Sequence, residues 1–217
     1  LNTQMLIISS VFCLSMLSLK EKNILFGGAA LVLAALAIYI KSYVGIVSGL
    51  IGLSFVICTF INERSYKKTL FYAVIFTLSY PAIWLMMFGS FSGFFLYIYG
   101  VKELASDNSA AAAYYPENNW FLLGGAIISF ILIPFFHRDR NILYLYLLAA
   151  LPTFAAWKHA MARQDIYHTR GFFYFLIVFF FVLLLFTREK KFRTIILSIV
   201  CLSLFYMNLQ NVRLFQE

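Results

Sequence analysis

The sequence predicts an all-α fold, a polytopic transmembrane helical bundle of about eight spans, and three observations predict it. Hydrophobic residues fill 63% of the 217 positions and charged residues only 12%. Mean hydropathy is +0.86. The charges fall between apolar runs and not inside them. Ordinary globular chains carry about 25% charged residues, so a soluble fold of this length would lack the polar surface it needs. The excess apolar area calls for lipid as its solvent.

A membrane-crossing helix needs about 20 largely apolar residues. Charges and turn formers cut the chain into eight such runs, at Met5–Leu19, Ile24–Ile40, Val44–Ile61, Thr69–Phe88, Trp120–Phe136, Ile142–Trp157, Gly171–Phe186 and Thr194–Gln210. The fourth run continues apolar to Gly100, too far for one crossing, with Pro81, Gly89, Ser90, Ser92 and Gly93 interrupting it. Two readings of residues 89–100 stand side by side: a break followed by a short interfacial or re-entrant piece at Phe94–Tyr99, or one long kinked helix. The 25 Phe suit lipid-facing and helix–helix surfaces, and the 14 Tyr suit the headgroup level.

The linkers assign sides. Those after the first, third, fifth and seventh runs hold eleven cations against four anions, whereas the opposite side holds six against five. Cations resist translocation, so the first set is expected in the cytoplasm. The segments Val101–Asn119 and Lys158–Arg170 are then expected outside, within a single transmembrane domain spanning 1–217. The same bias accounts for the net charge of +8 without nucleic acid. The linkers His137–Arg140, Asn62–Arg64 and Arg188–Arg193 read as topology signals, touching anionic lipid where they meet the surface. The chain begins at Leu1 with no basic leader and ends just after an apolar run, so a piece of a longer membrane protein is expected. Cys13, Cys58 and Cys201 lie in apolar runs at spacings that fit neither a disulfide framework nor a metal site, and read as core residues.

The linker 158–170 stands apart. It holds Lys158, His159, Arg163, Asp165, His168 and Arg170, and without it the outer side carries three cations against four anions. A basic cluster on the side that disfavours it asks for a reason beyond topology. Trp157 precedes it and Gly171-Phe172-Phe173 follows, which puts it at the headgroup boundary, where Lys and Arg can meet a lipid phosphate with their stems in apolar surroundings. Arginine's planar fork matches phosphate oxygens. Asp165 can orient an arginine or serve as a base, and His159 or His168 can carry a proton near neutral pH. On a helix His159 and Arg163 share a face, as do Asp165 and His168. The plain alternative is a solvated loop that touches headgroups without chemistry. Two histidines nine apart with one Asp between them match no metal-ligand spacing, and neither a nucleotide-binding loop nor a hydrolase or zinc-protease signature occurs.

The run Lys158-His159-Ala160-Met161-Ala162-Arg163-Gln164-Asp165, with His168 and Phe172-Phe173 after it, resembles a K-H-x-x-x-R-x-D segment followed by His and Phe-Phe. That segment occurs in polytopic bacterial membrane proteins of envelope polysaccharide assembly, of the glycosyltransferase or O-antigen polymerase–ligase kind. The resemblance covers about a dozen residues. It departs from the pattern at Ala160, Ala162 and Tyr167, where Gly, a β-branched residue and a small residue are expected. It implies a polyprenyl-phosphate- or pyrophosphate-linked sugar handled at the outer leaflet of a bacterial inner membrane, without a cofactor. Lys158, Arg163 and Arg170 would bind the substrate, and Asp165, His168 and His159 would be catalytic. The first outer linker, Lys41-Ser42-Tyr43, lacks the acidic residue common in lipid-linked-sugar transferases, so either that part lies outside this sequence or the resemblance is to the polymerase–ligase kind.

Two other functions compete. A transporter or flippase ordinarily places ionisable residues within its spans, and these eight runs contain no Asp, Glu, Lys, Arg or His. A non-catalytic subunit of a membrane complex would use the Phe-rich spans to pack against protein partners, whose identity the sequence leaves open.

Overall fold

The computed structural model describes residues 3–111, 124–128, 130–131, 140–163, 166–186, 193–194, 196–198, 200–201 and 204. All regular structure among them is helix. The bounded helices are α1 (Thr3–Glu21), α2 (Ile24–Ile40), α3 (Ser42–Glu63), α4 (Tyr66–Phe88), α5 (Phe94–Ala111), α6 (Arg140–Arg163) and α7 (Ile166–Phe186). They fall into two compact units, Leu1–Ala112 with Leu147–Pro152, and Ala113–Tyr146 with Thr153–Glu217.

The expected all-α class holds for the described residues. About eight spans are not confirmed among the described residues. Two helices are long and apolar enough to cross a membrane by length and composition, α3 with mean hydropathy 2.4 and α4 with 1.7 over their best windows. At 1.5 Å per residue they measure about 33–35 Å, against a hydrocarbon core of about 30 Å. Apolar stretches of α2, α6 and α7 are shorter, Ile24–Ile40, Leu143–Lys158 and Gly171–Leu184. The fifth and eighth expected runs, Trp120–Phe136 and Thr194–Gln210, lie largely outside the described residues.

In the first unit α2 packs against α1, α3 and α4. Its inward face is small, with Gly27, Ala30, Ala34, Ala35 and Ala37 buried beside Leu31 and Ile38. Small residues let helix backbones approach closely, and dispersion contacts then hold the pair. Gly27 lies under the Tyr72 ring of α4, where an added Cβ would fall 2.6 Å from the phenolic oxygen. Gly45, near the start of α3, faces the backbone of Ile38 across the one-residue connection at Lys41, too close for any Cβ. Phe12 and Phe55, with Tyr72, are the large side chains that fill the remaining volume.

The outward faces of the same helices are also apolar. Leu25, Val32, Leu36 and Ile40 line that of α2, Leu53, Ile57, Phe60 and Ile61 that of α3, and Leu70, Phe71, Val74 and Leu78 that of α4. Helix α4 is the extreme case, with 17% of its most apolar window buried.

The connections follow from local chemistry. Asn23 accepts from the Leu25 amide at 2.9 Å and so caps α2. Ser65 caps α4 through the Lys68 amide. Lys22 (φ 53°) and Arg64 (φ 48°) adopt the left-handed conformation that closes α1 and α3, at a cost of about 1 kcal/mol for a residue bearing a Cβ. Gly89 (φ 69°) ends α4 and Gly93 (φ 79°) precedes α5. This break resolves the ambiguity over residues 89–100: the chain turns at 89–93 and restarts as a separate helix reaching to Ala111, so one long kinked helix is not formed.

Tyrosine hydroxyls fasten the new helix. Tyr97 of α5 donates to the Ile38 carbonyl at 2.7 Å, one of the C-terminal carbonyls of α2 that has no intrahelical partner. Tyr39 donates at 2.6 Å to the Tyr80 carbonyl, just before Pro81. Tyr39 and Tyr97 stack at 5.5 Å, and Trp84 sits 5.3 Å from Tyr97 with its indole N–H on the Ser90 carbonyl at 2.9 Å. At the other end of the unit, Lys68 bonds Glu63 at 2.8 Å and the Lys22 carbonyl at 3.4 Å, and Ser18 bonds the Asn23 carbonyl at 2.8 Å. The connections 20–23 and 63–68 therefore share one end, and Lys41 and the 89–93 turn share the other.

In the second unit Phe130 stacks on Tyr146 at 4.7 Å and meets Phe179 at 5.0 Å. Helix α7 buries Phe172, Phe173, Phe175, Leu176, Phe179, Phe180 and Leu183, and exposes Tyr174 and Phe181.

The Gly45 contact makes a direct prediction. Gly45→Ala pushes apart the α2–α3 hairpin and lowers thermal stability in detergent by an overpacking cost of about 1–3 kcal/mol. Gly28→Ala is the control, because its Cβ would meet only Ile75 at an ordinary 3.9 Å, and its melting curve is expected to overlie that of the wild type.

Candidate functional site

The cluster 158–170 is the candidate site, and the two helices expected to meet there extend into it. Helix α6 does not end at Trp157 but runs on through Lys158, His159 and Arg163, and α7 begins at Ile166, ahead of His168 and Arg170. Lys, Ala, Met and Arg are good helix formers, so a charge in this stretch is no reason for the helix to stop. Positions 164–165 separate the two helices. Asp165 lies outside the described residues. His159, Arg163, His168 and Arg170 are placed by their backbone alone, His159 and Arg163 in the last turns of α6, His168 and Arg170 in the first turns of α7. Lys158 is exposed.

The helix ends explain part of this arrangement. The last carbonyls of α6 carry partial negative charge, which Lys158 and Arg163 complement. The first amides of α7 have no carbonyl partner within the helix and present partial positive charge, a setting that favours an anionic group. Around these ends the packing is tight. Ala160 and Phe172 are fully buried, Phe173 and Thr169 nearly so, and Trp157 is half-buried with its ring 5.9 Å from Phe154. The segment thus combines a packed side, Ala160 and Thr169, with an exposed cation, Lys158.

Two hydroxyls were not singled out by the sequence. Thr169 is buried between His168 and Arg170. Thr153 follows Pro152 inside α6, and its hydroxyl is fully buried with no hydrogen-bond partner among the described residues. Pro152 removes the amide that would bond the carbonyl of residue 148, so this turn of α6 carries two imperfectly matched polar groups. The signal available in the sequence was a Pro-Thr pair interrupting an otherwise apolar run. Among the described residues no three of His, Cys, Asp or Glu converge as metal ligands.

Comparison with known protein families, with curated proteins and with solved structures gives no match.

The burial pattern separates packing from chemistry within the cluster. Ala160→Leu overfills the packed side and lowers thermal stability by about 1–3 kcal/mol. Lys158→Gln, at an exposed position, is expected within about 0.5 kcal/mol of wild type. Differential scanning fluorimetry in detergent compares the two.

Proposed function

We propose that the chain is a polytopic integral membrane protein of a bacterial inner membrane, which handles a polyprenyl-phosphate- or pyrophosphate-linked sugar at the outer face during envelope glycan assembly. The observation that carries the reading is the junction of α6 and α7. One helix ends at Arg163 and the next begins at Ile166, so Lys158, Arg163 and Arg170 fall near two helix ends, with Asp165 the lone carboxylate of the stretch. Support for the membrane setting comes from the outward faces of α2, α3 and α4, which expose many large apolar side chains, and from charges held at the connections and helix ends. A helix apolar on both faces buries one against its neighbours and leaves the other to lipid.

A lipid-linked sugar pyrophosphate combines an acyl-like tail that follows an apolar helix with a dianionic group at headgroup level. The cations of the cluster would neutralise the pyrophosphate as it leaves, with Arg163 and Arg170 offering paired donors and Lys158 a point charge. The amide end of α7 adds to the same field. Asp165, or His159 or His168 in its neutral form, would accept the proton of the attacking hydroxyl. The bond from the anomeric carbon to the phosphate oxygen breaks, the bond to the acceptor oxygen forms, and the acceptor proton passes to that base.

The test is retention of an undecaprenyl-pyrophosphate glycan by the purified protein, read by native mass spectrometry in detergent. Wild type is expected to hold the lipid-linked glycan, and Arg163→Ala to lose at least about tenfold of the bound fraction, which corresponds to the roughly 1.4 kcal/mol of one charge-assisted contact. Equal retention by both proteins, or none by either, returns the cluster to ordinary headgroup contact and removes the reading.

A further inference from the structure

The end of the first unit opposite Lys41 carries a second set of cations, and its geometry goes beyond what a topology signal requires. Lys20, Lys22, Arg64, Lys67 and Lys68 meet there with Glu21 and Glu63. The carboxylates are already engaged: Glu63 pairs with Lys68 at 2.8 Å, both side chains 15% exposed, and Glu21 lies 3.9 Å from Lys20. Lys22, Arg64 and Lys67 form no ion pair among the described residues, and all three are exposed.

The two connections from which these three project are tied together. The Lys68 ammonium holds the Glu63 carboxylate and the Lys22 carbonyl together, so the α1–α2 and α3–α4 connections are fixed on one cation. Ser18 ties the first connection further, through the Asn23 carbonyl and the Tyr72 hydroxyl. Left-handed conformations at Lys22 and Arg64 end the two helices at these positions. Like charges fixed at one end repel, and an anion placed among them offsets the repulsion. Immediately beside them, the outward faces of α2 and α4 begin with Leu25 (78% exposed), Tyr66 (76%) and Leu70 (65%), continued by Phe71 and Val74. A phosphate-level charge next to an apolar helix face has the shape of one phospholipid.

We propose that Lys22, Arg64 and Lys67 form a docking surface for an anionic phospholipid headgroup, with the acyl chains of that lipid lying on the outward faces of α2 and α4. This surface is distinct from the 158–170 cluster and takes a bulk lipid, not a sugar carrier. It rests on the membrane part of the reading above and not on the glycan part. Charge complementarity selects the partner: phosphatidylglycerol carries a net negative charge, whereas phosphatidylcholine has the same phosphate cancelled by its choline.

The experiment uses the full chain in nanodiscs of defined phosphatidylglycerol and phosphatidylcholine content, followed by release into detergent and native mass spectrometry of the lipids that stay bound. Wild type is expected to retain phosphatidylglycerol over phosphatidylcholine, and the combined Lys22→Gln, Arg64→Gln, Lys67→Gln variant to lose about tenfold or more of that preference. The pair Lys41→Gln, Lys102→Gln removes two cations elsewhere and is expected to keep it. Should the triple variant fail to fold, Lys67→Gln alone must still lower the preference, and the wild-type preference must fall as salt rises from 50 to 500 mM on the order expected of screened charges. Free glycerol phosphate is expected not to displace the lipid, since it lacks the apolar half of the contact. Unchanged preference in the variants, equal loss in the Lys41 and Lys102 control, or displacement by glycerol phosphate overturns the proposal. Failure of the wild type to enter the nanodisc overturns the membrane reading itself, a different and separately visible result.

Discussion

Helices without charge on either face, closed by polar connections, set the terms for everything else in the first unit. Between Ile24 and Ile61 the only charge is Lys41, at the α2–α3 connection, and between Thr69 and Gly100 there is none. Such a helix satisfies its backbone internally and offers apolar side chains all round. Water would penalise the outward rows of α2, α3 and α4 by roughly 25 cal/mol for each Å² they show. In the membrane setting proposed above, lipid would remove that penalty, and with it most of the hydrophobic drive for the helices to associate. Close approach must then supply the attraction. This is why glycine and alanine line the inward face of α2, with Tyr72 seated on Gly27 and the Ile38 backbone on Gly45.

The polar groups that remain are spent at the two ends, in different ways. At one end tyrosine hydroxyls bond a terminal carbonyl of α2 and the Tyr80 carbonyl of α4, and Trp84 closes the 89–93 connection. At the other, Lys68 and Glu63 neutralise one another and join two connections. A fully exposed ion pair contributes about 0–1 kcal/mol. Removing one partner where both are mostly covered costs more, because it strands a desolvated charge. The net effect of these ends is to hold the connections rigid, and rigid connections fix where the unpaired cations stand.

Much of this was legible in the sequence. Asn23 before an apolar run and Lys41 after it fixed α2 at Ile24–Ile40, because a cap and a charge mark helix ends by physical necessity. Gly89 and Gly93 marked where the fourth run is interrupted, and their positive φ decides for a break where the sequence left a kinked helix equally open. The Lys158–Arg170 stretch reads in the sequence as a linker where two helices meet, and α6 continues into it as far as Arg163, since Lys, Ala, Met and Arg sustain a helix. The hydroxyl bonds of Tyr39 and Tyr97 were hidden for another reason. They join residues about forty and sixty positions apart, and no local pattern encodes such a meeting. For the candidate site, the sequence supplied the residue types and the helices supplied the junction. The burial of Ala160, Thr153 and Thr169 beside it came from packing alone.

The account stands on the alternation of connections across a bilayer, and cysteine labelling in intact cells addresses this most directly. In a background with Cys13, Cys58 and Cys201 replaced by serine, Lys41→Cys and Lys67→Cys are exposed to a membrane-impermeant maleimide. The account predicts labelling of Lys41→Cys in intact cells, and of Lys67→Cys only after permeabilisation. Labelling of both before permeabilisation, or of Lys67→Cys alone, would contradict it.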